Sequence, residues 1–271
     1  MISCTVIGGG GFIGAALAAR LRARGDDVWC PPRDAALNNR PLGQVYYCAG
    51  VTGDFLGRPF DTLQAHVCLL ATLLDCAEFS SLVYLSSTRV YRRGGHGRED
   101  QPLVVDPTDP QDLYDLTKLA AESLCATCGR EGVRVARLSN VVGQDFASAN
   151  FLYELLRGAC EQGEIRLRSA LDSHKDYIVL DDVLDLLPRI AMGNHGCYNV
   201  AAGLDLSHHE IVDVLVQRTG ARLVVEPHAP RLAPPLVDTS RIRGEFGFEP
   251  RPAIDYIAAL VDAAMNRKGC A

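Results

Sequence analysis

Short apolar runs alternate along the chain with longer segments in which apolar residues recur every three or four positions. The short runs predict buried strands and the longer segments predict amphipathic helices. The predicted strands are Cys4–Ile7, Asp27–Cys30, Gln44–Cys48, Ser81–Ser86, Val133–Leu138 and Tyr177–Val179, and the predicted helices are Ile13–Arg24, Thr62–Glu78, Leu113–Gly129 and Asn150–Gln162. Such alternation is typical of an α/β fold with a doubly wound parallel sheet.

The pattern changes after Asn199, where strands and helices no longer alternate regularly. The predicted elements here are a helix over Ser207–Thr219, a short strand over Arg222–Glu226, a proline-rich stretch over His228–Pro235 and a final helix over Ile254–Asn266. We expect this part of the chain to form a smaller lobe that lies against the sheet.

Composition narrows the class of protein without identifying it. The chain has 271 residues, of which 48% are hydrophobic and 22% are charged, so it can bury a sizeable core. A net charge of −6 argues against a surface that binds nucleic acid, which would need a basic patch. No apolar run approaches about 18 residues, and the chain begins on a predicted strand without a leader-like segment. We therefore expect a cytoplasmic protein with no membrane span.

Ten cysteines raise the question of metal binding or redox chemistry. Most lie within apolar stretches, where a free cysteine behaves as a small hydrophobic residue. One Cys-x-x-Cys pair occurs, Cys125 and Cys128, and no second pair stands at the spacing of a zinc site. We expect helix packing for this pair and no metal site.

A glycine-rich turn joins the first predicted strand to the first predicted helix, in the sequence Gly8-Gly9-Gly10-Gly11-Phe12-Ile13-Gly14. In a dinucleotide-binding turn, Gly8 would permit the tight turn, Gly11 would let a pyrophosphate approach the backbone, and Gly14 would let the helix pack closely. The helix N-terminus would then supply free N–H groups to the phosphates. An ordinary glycine turn is the alternative.

Two further segments carry candidate chemistry. Tyr114 and Lys118 stand four residues apart, which places them on one face of a helix. An ammonium group near a phenol lowers the pKa of the phenol, so we expect Tyr114 to act as an acid and base near neutral pH. Three hydroxyl residues, Ser86, Ser87 and Thr88, end a buried strand at the edge where open α/β sheets bind ligands.

Together these motifs resemble the extended short-chain dehydrogenase/reductases, known as the NAD-dependent epimerase/dehydratase family. The resemblance continues through Glu99-Asp100-Gln101-Pro102, Arg137-Leu138-Ser139-Asn140-Val141-Val142-Gly143, His174–Val179 with Asp181-Asp182-Val183, Asn199-Val200-Ala201, and Asp238-Thr239-Ser240-Arg241. It implies that residues 1–165 form a Rossmann core whose sheet is completed by about 176–200. It also implies that 166–271 form mainly the lobe that binds substrate.

The resemblance assigns roles to particular residues. Tyr114 would be the catalytic acid and base, Lys118 would bind the nicotinamide ribose, and Ser87 with Thr88 beside it would hydrogen-bond the reacting sugar oxygen. The implied cofactor-binding residues are Gly8, Gly11, Phe12, Ile13, Gly14, Arg33, Cys48, Ala49, Gly50, Ser86, Tyr114 and Lys118. The implied substrate-binding residues are Thr88, Asn140, Asn150, Phe151 and Arg231, of which Arg231 could equally be an ordinary surface residue.

Two departures concern the cofactor. Pro32 stands where the family usually has the acid that binds the ribose, and the neighbouring Arg33 tilts the expectation from NAD towards NADP, unless Asp34 takes the ribose. The connection Pro31–Gly43 is too short for a helix crossover to another parallel strand. We therefore expect a sheet that is one strand short on the adenine side, with a more open adenine pocket.

Two other departures concern the reaction. His66 replaces an asparagine that the family usually has, and we expect a structural role for it rather than a titrating one. Arg89 stands where the dehydratases have an acidic pair, which argues against dehydration.

The resemblance thus implies NAD(P)-dependent epimerisation or 4-keto reduction of a nucleotide sugar, by a homodimer formed through 62–78 and 113–129. The alternatives are a non-catalytic NAD(P)-binding sensor or scaffold, and a reductase of a non-sugar carbonyl.

Overall fold

A computed structural model describes residues 1–148 and 150–269 of the protein. Its strands are β1 (Ser3–Ile7), β2 (Asp27–Trp29), β3 (Gln44–Tyr47), β4 (Ser81–Ser87), β5 (Val133–Leu138), β6 (Asn140–Val142), β7 (Glu164–Leu167), β8 (His174–Val179), β9 (Gly196–Val200), β10 (Asp205–Ser207) and β11 (Arg222–Val225). Its helices are α1 (Phe12–Ala23), α2 (Pro59–Leu63), α3 (Leu69–Cys76), α4 (Leu113–Thr127), α5 (Phe151–Arg157), α6 (Leu180–Met192), α7 (His208–Thr219), α8 (Ser240–Phe246) and α9 (Ala253–Gly269).

Six parallel strands form the central sheet in the order β2-β1-β3-β4-β5-β9. One face of the sheet packs against α1 and α6 through residues such as Leu17, Leu21 and Leu187. The other face packs against α3 and α4 through Leu73 and Ala121, among others. Helices therefore cover both faces, which confirms the predicted α/β fold with a doubly wound parallel sheet.

The adenine side of the sheet ends at β2. In the common order of this fold a further strand lies outside the second strand, but residues 31–43 form no strand here. Leu42 is instead fully buried, and the Thr5 hydroxyl donates to its carbonyl oxygen at 2.7 Å. The Arg40 guanidinium lies 5.0 Å from the centre of the Trp29 ring at this edge. The prediction of a sheet that is one strand short is thus confirmed.

The smaller lobe has its own sheets and its own core. β10, β8 and β6 form a three-stranded sheet, and β11 pairs with β7. The lobe's apolar core unites residues from α5, α7 and α9, including Leu155, Leu215 and Leu260. Since this core also includes Val142 and Leu152, it draws on the chain before residue 165. The division of the chain at residue 165 stays a prediction.

Two features of the C-terminal half differ from the sequence predictions. The predicted strand Tyr177–Val179 lies in β8, outside the central sheet, and β9 is the strand that completes that sheet. Helix α6 was not predicted, although its buried face packs on the sheet and on α1. This helix carries Pro188 in its interior, a residue that usually argues against a helix.

The cysteines of the described residues range from buried to exposed. Nine cysteines lie in the described residues, and Cys270 lies outside those residues. Cys125 is buried, and the Cys128 thiol donates to the carbonyl oxygen of Cys125 at 3.4 Å. Among the described helices, none is both long enough and apolar enough to cross a membrane.

Candidate active site

The glycine-rich turn lies between β1 and α1 and is tightly packed. Gly8 has a φ of +80°, and a Cβ at this position would lie 2.7 Å from the amide nitrogen of Ala49. A Cβ on Gly14 would lie 2.3 Å from the carbonyl oxygen of Gly8. Both positions therefore require glycine because neighbouring backbone occupies the space of a side chain.

Helix α1 begins in this turn with its first N–H groups open. Gly11 is the residue before the helix, and no side chain in the described part of the chain caps the helix there. The N–H groups of Phe12 and Ile13 are thus available to an anion at the positive end of the helix dipole. Open N–H groups of this kind fit a pyrophosphate, and the roles of these residues in binding one stay predictions.

The turn after β3 brings a second stretch of backbone to the same place. Cys48 continues the pairing of β3 by donating its N–H to the carbonyl oxygen of Ile7 at 2.8 Å. Burial raises the pKa of the Cys48 thiol to about 12, so this residue is neutral. A Cβ on Gly50 would lie 3.7 Å from the Lys118 amino nitrogen. Cys48, Ala49 and Gly50 therefore connect the glycine-rich turn to the predicted catalytic lysine.

Tyr114 and Lys118 face the carboxyl end of the sheet from helix α4, one turn apart. Each is buried, with relative exposures of 6% and 4%. The Lys118 amino group donates to the carbonyl oxygen of Leu85 at 2.9 Å and lies 5.7 Å from the centre of the Tyr114 ring. The prediction that these two residues lie on one face of a helix is confirmed.

The expected lowering of the Tyr114 pKa is wrong for the protein alone. Burial raises the pKa of Tyr114 to about 12, and a hydrogen bond with Ser87 and the charge of Arg89 only partly oppose that rise. Burial also lowers the pKa of Lys118 to about 7, against the attraction of Glu122. Since burial disfavours the charged form of both groups, Tyr114 is a neutral phenol at neutral pH.

The hydroxyl residues at the end of β4 divide into two environments. The Ser87 hydroxyl accepts from the backbone N–H of Arg89 at 3.2 Å and lies beside Tyr114. Thr88 follows it at the start of a short 3-10 turn and is half-buried. The Ser86 side chain points away from this site, because its hydroxyl donates to Glu122 at 2.5 Å in the interior. Ser86 can therefore line the cofactor site with its backbone only.

Arg89 covers the ring of Tyr114. Its guanidinium lies 5.6 Å from the centre of that ring and 5.2 Å from the centre of the Phe55 ring. An ion pair of 3.2 Å with Asp115 and a hydrogen bond of 2.9 Å to the carbonyl oxygen of Gln111 hold it in place. A basic residue, Arg89, thus occupies the position where the dehydratases have acidic residues.

The residues implied for substrate binding fall into two groups. The Phe151 ring, at the start of α5, stacks on the His208 ring with 4.3 Å between their centres. Asn150 precedes it as an exposed residue. Asn140 is exposed too, but its amide donates to the carbonyl oxygen of Asp176 at 2.8 Å. Arg231 pairs with Asp172 at 2.8 Å, and the described contacts do not bring it to Tyr114.

Sequence reasoning missed Lys175 and His208. The Lys175 amino nitrogen lies 4.6 Å from the centre of the Phe151 ring, and burial together with the charge of Arg89 lowers its pKa. The Nε2 atom of His208 is buried without a hydrogen-bond partner in the described residues. Burial and the charge of Lys175 lower the pKa of His208 to about 4. The position of Lys175 beside Asp176, in a segment shared with the family, was the available signal.

Arg33 lies at the edge of the predicted cofactor site with little to hold it. Its side chain is 79% exposed, and its nearest acidic partner is Asp61 at 3.9 Å. The guanidinium is therefore free to meet an anion, although its role and the choice between NAD and NADP stay predictions.

Among solved structures, the fold is similar to that of MoeE5 in complex with UDP-glucose and NAD. The TM-score is 0.80, and the match covers 99% of this chain and 100% of that chain at 22% sequence identity. This likeness supports the Rossmann-type fold.

Two curated proteins are similar in sequence over most of their length. GDP-6-deoxy-D-mannose reductase of Pseudomonas aeruginosa is 30% identical over 273 residues, which covers 88% of this chain and 86% of the relative. dTDP-6-deoxy-L-talose 4-dehydrogenase (NAD(P)(+)) of Kitasatospora kifunensis is 27% identical over 289 residues, which covers 91% and 90%. Both relatives are oxidoreductases of nucleotide sugars by name.

The profile of the NAD dependent epimerase/dehydratase family matches residues 33–201. This range includes β4, helix α4 and the family segments up to β9. The expected family and its dependence on a nicotinamide cofactor are thereby confirmed. The chain belongs to the NAD dependent epimerase/dehydratase family, whose enzymes modify nucleotide sugars.

Proposed function

We propose that the protein is an NAD(P)-dependent reductase of a keto group at C4 of a 6-deoxy nucleotide sugar. The observation that carries the proposal is the meeting of Tyr114, Ser87 and Lys118 beneath Arg89. Arg89 replaces the acids that dehydration would use. The two curated relatives, a 4-dehydrogenase and a reductase of 6-deoxy sugars, favour the same reaction.

The glycine-rich turn and the N-terminus of α1 would hold the cofactor. A Cβ on Gly8 or Gly14 would collide with backbone, and the first N–H groups of α1 are open. A Cβ on Gly50 would lie 3.7 Å from the Lys118 amino nitrogen, and the ribose would bind beside this nitrogen. When bound, the nicotinamide supplies a hydride to the carbonyl carbon or accepts one from it.

Tyr114 would deliver the proton that balances the hydride. With its pKa raised to about 12, the phenol carries its proton at neutral pH and can donate it to the oxygen of a ketone. The bond from hydrogen to the Tyr114 oxygen breaks while a bond to the sugar oxygen forms, which leaves a phenolate. The nearby Lys118 ammonium stabilises that phenolate and lowers the cost of the step.

Ser87 and Thr88 would orient the sugar oxygen for this transfer. The Ser87 hydroxyl lies beside Tyr114 at the end of β4, where it can donate to the oxygen that receives the proton. Thr88 follows directly at the start of the 3-10 turn and is half-buried. Such positioning lowers the barrier because the reacting groups are held before reaction.

Basic and aromatic residues would bind the nucleotide diphosphate. Lys175 lies against the Phe151 ring, and the charge of Arg89, which lies over Tyr114, contributes to lowering the pKa of Lys175. Phosphate oxygens are suitable partners for both cations. Phe151, stacked on His208, offers an aromatic surface to the base.

Turnover of a panel of 4-keto-6-deoxy nucleotide sugars with NADH and NADPH tests the proposal. We expect consumption of the reduced cofactor with one member of the panel, and a loss of about 10²–10⁴-fold in kcat for Tyr114→Phe. Tyr177→Phe is the matched control, since it removes a buried hydroxyl that lies outside the site.

Three results would overturn the proposal in different ways. Interconversion of two sugars without net cofactor consumption would identify an epimerase. Cofactor binding without turnover of any substrate would identify a sensor or scaffold. Reduction of simple ketones, without affinity for nucleoside diphosphates, would identify a reductase of non-sugar carbonyls.

A further inference from the structure

His66 lies between the turn that follows β3 and the catalytic helix α4. It belongs to a π-helical segment, Gln64–Cys68, that joins α2 to α3 in one continuous helix. Segments of this kind are rare and occur frequently at functional sites. The imidazole is fully buried, and its ring meets the ring of Tyr114 edge-on, with 5.2 Å between their centres.

Both ring nitrogens of His66 have polar partners, and these partners determine its tautomer. The backbone N–H of Val51 lies 3.2 Å from Nε2, so Nε2 must be the acceptor. The hydrogen of the neutral ring is therefore on Nδ1, which donates to the Thr117 hydroxyl at 2.8 Å. Thr117 in turn donates to the carbonyl oxygen of Tyr114 at 2.9 Å. A continuous chain of hydrogen bonds thus joins Val51 to the turn of helix that carries Tyr114.

The surroundings keep this ring neutral. Burial, with a further contribution from the charge of Lys118, lowers the pKa of His66 to about 3. A neutral ring can both accept at Nε2 and donate at Nδ1, whereas an imidazolium could only donate.

The same ring also contacts the turn that follows β3, which we call the cofactor turn. A Cβ on Gly50 would lie 3.1 Å from Nε2 of His66 and 3.7 Å from the Lys118 amino nitrogen. The backbone at Gly50 and Val51 therefore rests directly on the imidazole. The turn and the helix are hydrogen-bonded to different nitrogens of this ring. Loss of one hydrogen bond would therefore affect the turn without the helix, or the helix without the turn.

We propose that His66 is a positioning residue that holds the cofactor turn through Nε2 and the helix of Tyr114 through Nδ1, as the Nδ1–H tautomer. The inference rests on the proposed function for its catalytic consequence. Its two halves are separable, because one contact acts on cofactor binding and the other acts on proton transfer.

Two substitutions of His66 test its two contacts separately. The amide of an asparagine reaches the position of Nδ1, so His66→Asn keeps the contact to Thr117 and leaves the Val51 N–H unpaired. The amide of a glutamine reaches the position of Nε2, so His66→Gln keeps the contact to Val51 and leaves Thr117 without a donor. We expect about tenfold weaker binding of the cofactor with nearly unchanged kcat for His66→Asn, and about tenfold lower kcat with nearly unchanged cofactor affinity for His66→Gln.

Thr117 provides the matched control for the helix contact. Thr117→Val removes the hydroxyl and should reproduce the kcat loss of His66→Gln, whereas Thr117→Ser should restore activity. Cofactor affinity is measured by the fluorescence of bound NADPH or NADH, which requires no substrate. If His66→Asn and His66→Gln lower kcat and cofactor affinity by the same factors, or change neither, the positioning role is refuted.

The tautomer is tested by long-range ¹H–¹⁵N NMR of the whole protein, with His66→Asn used to assign the signals. The expected result is an Nδ1–H ring that does not titrate between about pH 5 and 8, because its pKa lies near 3. An Nε2–H ring, or a titrating one, contradicts the inference. If the wild-type protein reduces no sugar, the proposed function fails, while the NMR and affinity measurements still decide the role of His66.

Discussion

The amino group of Lys118 donates to the carbonyl oxygen of Leu85 at 2.9 Å, and this hydrogen bond joins helix α4 to β4, the strand that ends at Ser87. The same amino group lies 4.9 Å from the centre of the Tyr84 ring. A carbonyl oxygen and an aromatic ring fix the amino group in position, but burial makes its charged form unfavourable. Its lowered pKa, near 7, is the consequence.

The burial of Lys118 predicts a specific dependence of stability on pH. Its pKa is about 7 in the fold and about 10.4 in the unfolded chain, so between these values the unfolded chain binds the additional proton. Stability therefore rises as the pH increases through this window, and below pH 7 the protein bears the full cost of the buried charge. Lys118→Met removes this cost, and we expect its gain in unfolding free energy to be largest near pH 6 and to shrink towards pH 9.

Urea denaturation of both proteins at pH 6, 7.5 and 9 measures this difference. Parallel pH profiles for the two proteins would show that Lys118 does not change its protonation on unfolding, and would contradict the assignment.

The packing of the glycine-rich turn predicts opposite outcomes at two of its glycines. A Cβ on Gly14 would meet the carbonyl oxygen of Gly8, whereas a Cβ on Gly10 would meet no atom within 4 Å. We expect Gly14→Ala to lower the free energy of unfolding by about 1–3 kcal/mol, as overpacked sites do, and Gly10→Ala to leave it nearly unchanged. Thermal unfolding of the protein without cofactor is the measurement, and equal losses at both positions would refute this packing.

The backbone chemistry of the site could be predicted from the sequence, because it depends on neighbouring residues. The spacing of Gly8 and Gly14 indicated their close backbone packing, and the helical period indicated the shared face of Tyr114 and Lys118. The short connection Pro31–Gly43 likewise predicted the loss of a strand, since no crossover fits within it.

The remaining features depend on tertiary contacts that local sequence does not encode. The pKa of Tyr114 rises because burial outweighs nearby charges, and the degree of burial is a property of the assembled site. Lys175 lies on β8 and meets Phe151 of α5, a separate element of the lobe. The Ser86 side chain points away from the site because its hydroxyl donates a hydrogen bond in the interior to Glu122, which lies 36 residues later.

That interior contact belongs to a buried ion pair whose loss should be severe. Arg137 donates to Glu122 at 2.5 Å, and both side chains are at most 10% exposed. Glu122→Ala would leave the guanidinium uncompensated, so we expect a loss of about 3–5 kcal/mol in unfolding free energy. Glu154→Ala is the control, because its pair with Arg168 is exposed and should contribute at most about 1 kcal/mol. Chemical denaturation measures both, and a similar small loss for the two variants would show that the buried pair is not needed for stability.

The exposed guanidinium of Arg33 predicts the choice of cofactor. If Arg33 binds a 2′-phosphate, Arg33→Ala should weaken the binding of NADPH by about tenfold or more, as expected for loss of a hydrogen bond to a charged group. The affinity for NADH should stay nearly unchanged. Arg58→Ala is the matched control, since Arg58 pairs with the same Asp61 at 2.7 Å. Binding titrations with both cofactors measure the ratio, and an equal change in NADH and NADPH affinity would favour Asp34 as the ribose contact.

Transfer of deuterium from labelled cofactor to substrate tests the central claim most directly. The protein is incubated with NADPH or NADH that carries deuterium at the transferable position of the nicotinamide, together with a 4-keto-6-deoxy nucleotide sugar. The expected product is a sugar that carries one deuterium at C4, formed by the wild-type protein and by Tyr177→Phe but not at a comparable rate by Tyr114→Phe. A product without deuterium, or a Tyr114→Phe variant with undiminished transfer, would contradict hydride transfer with Tyr114 as the proton donor.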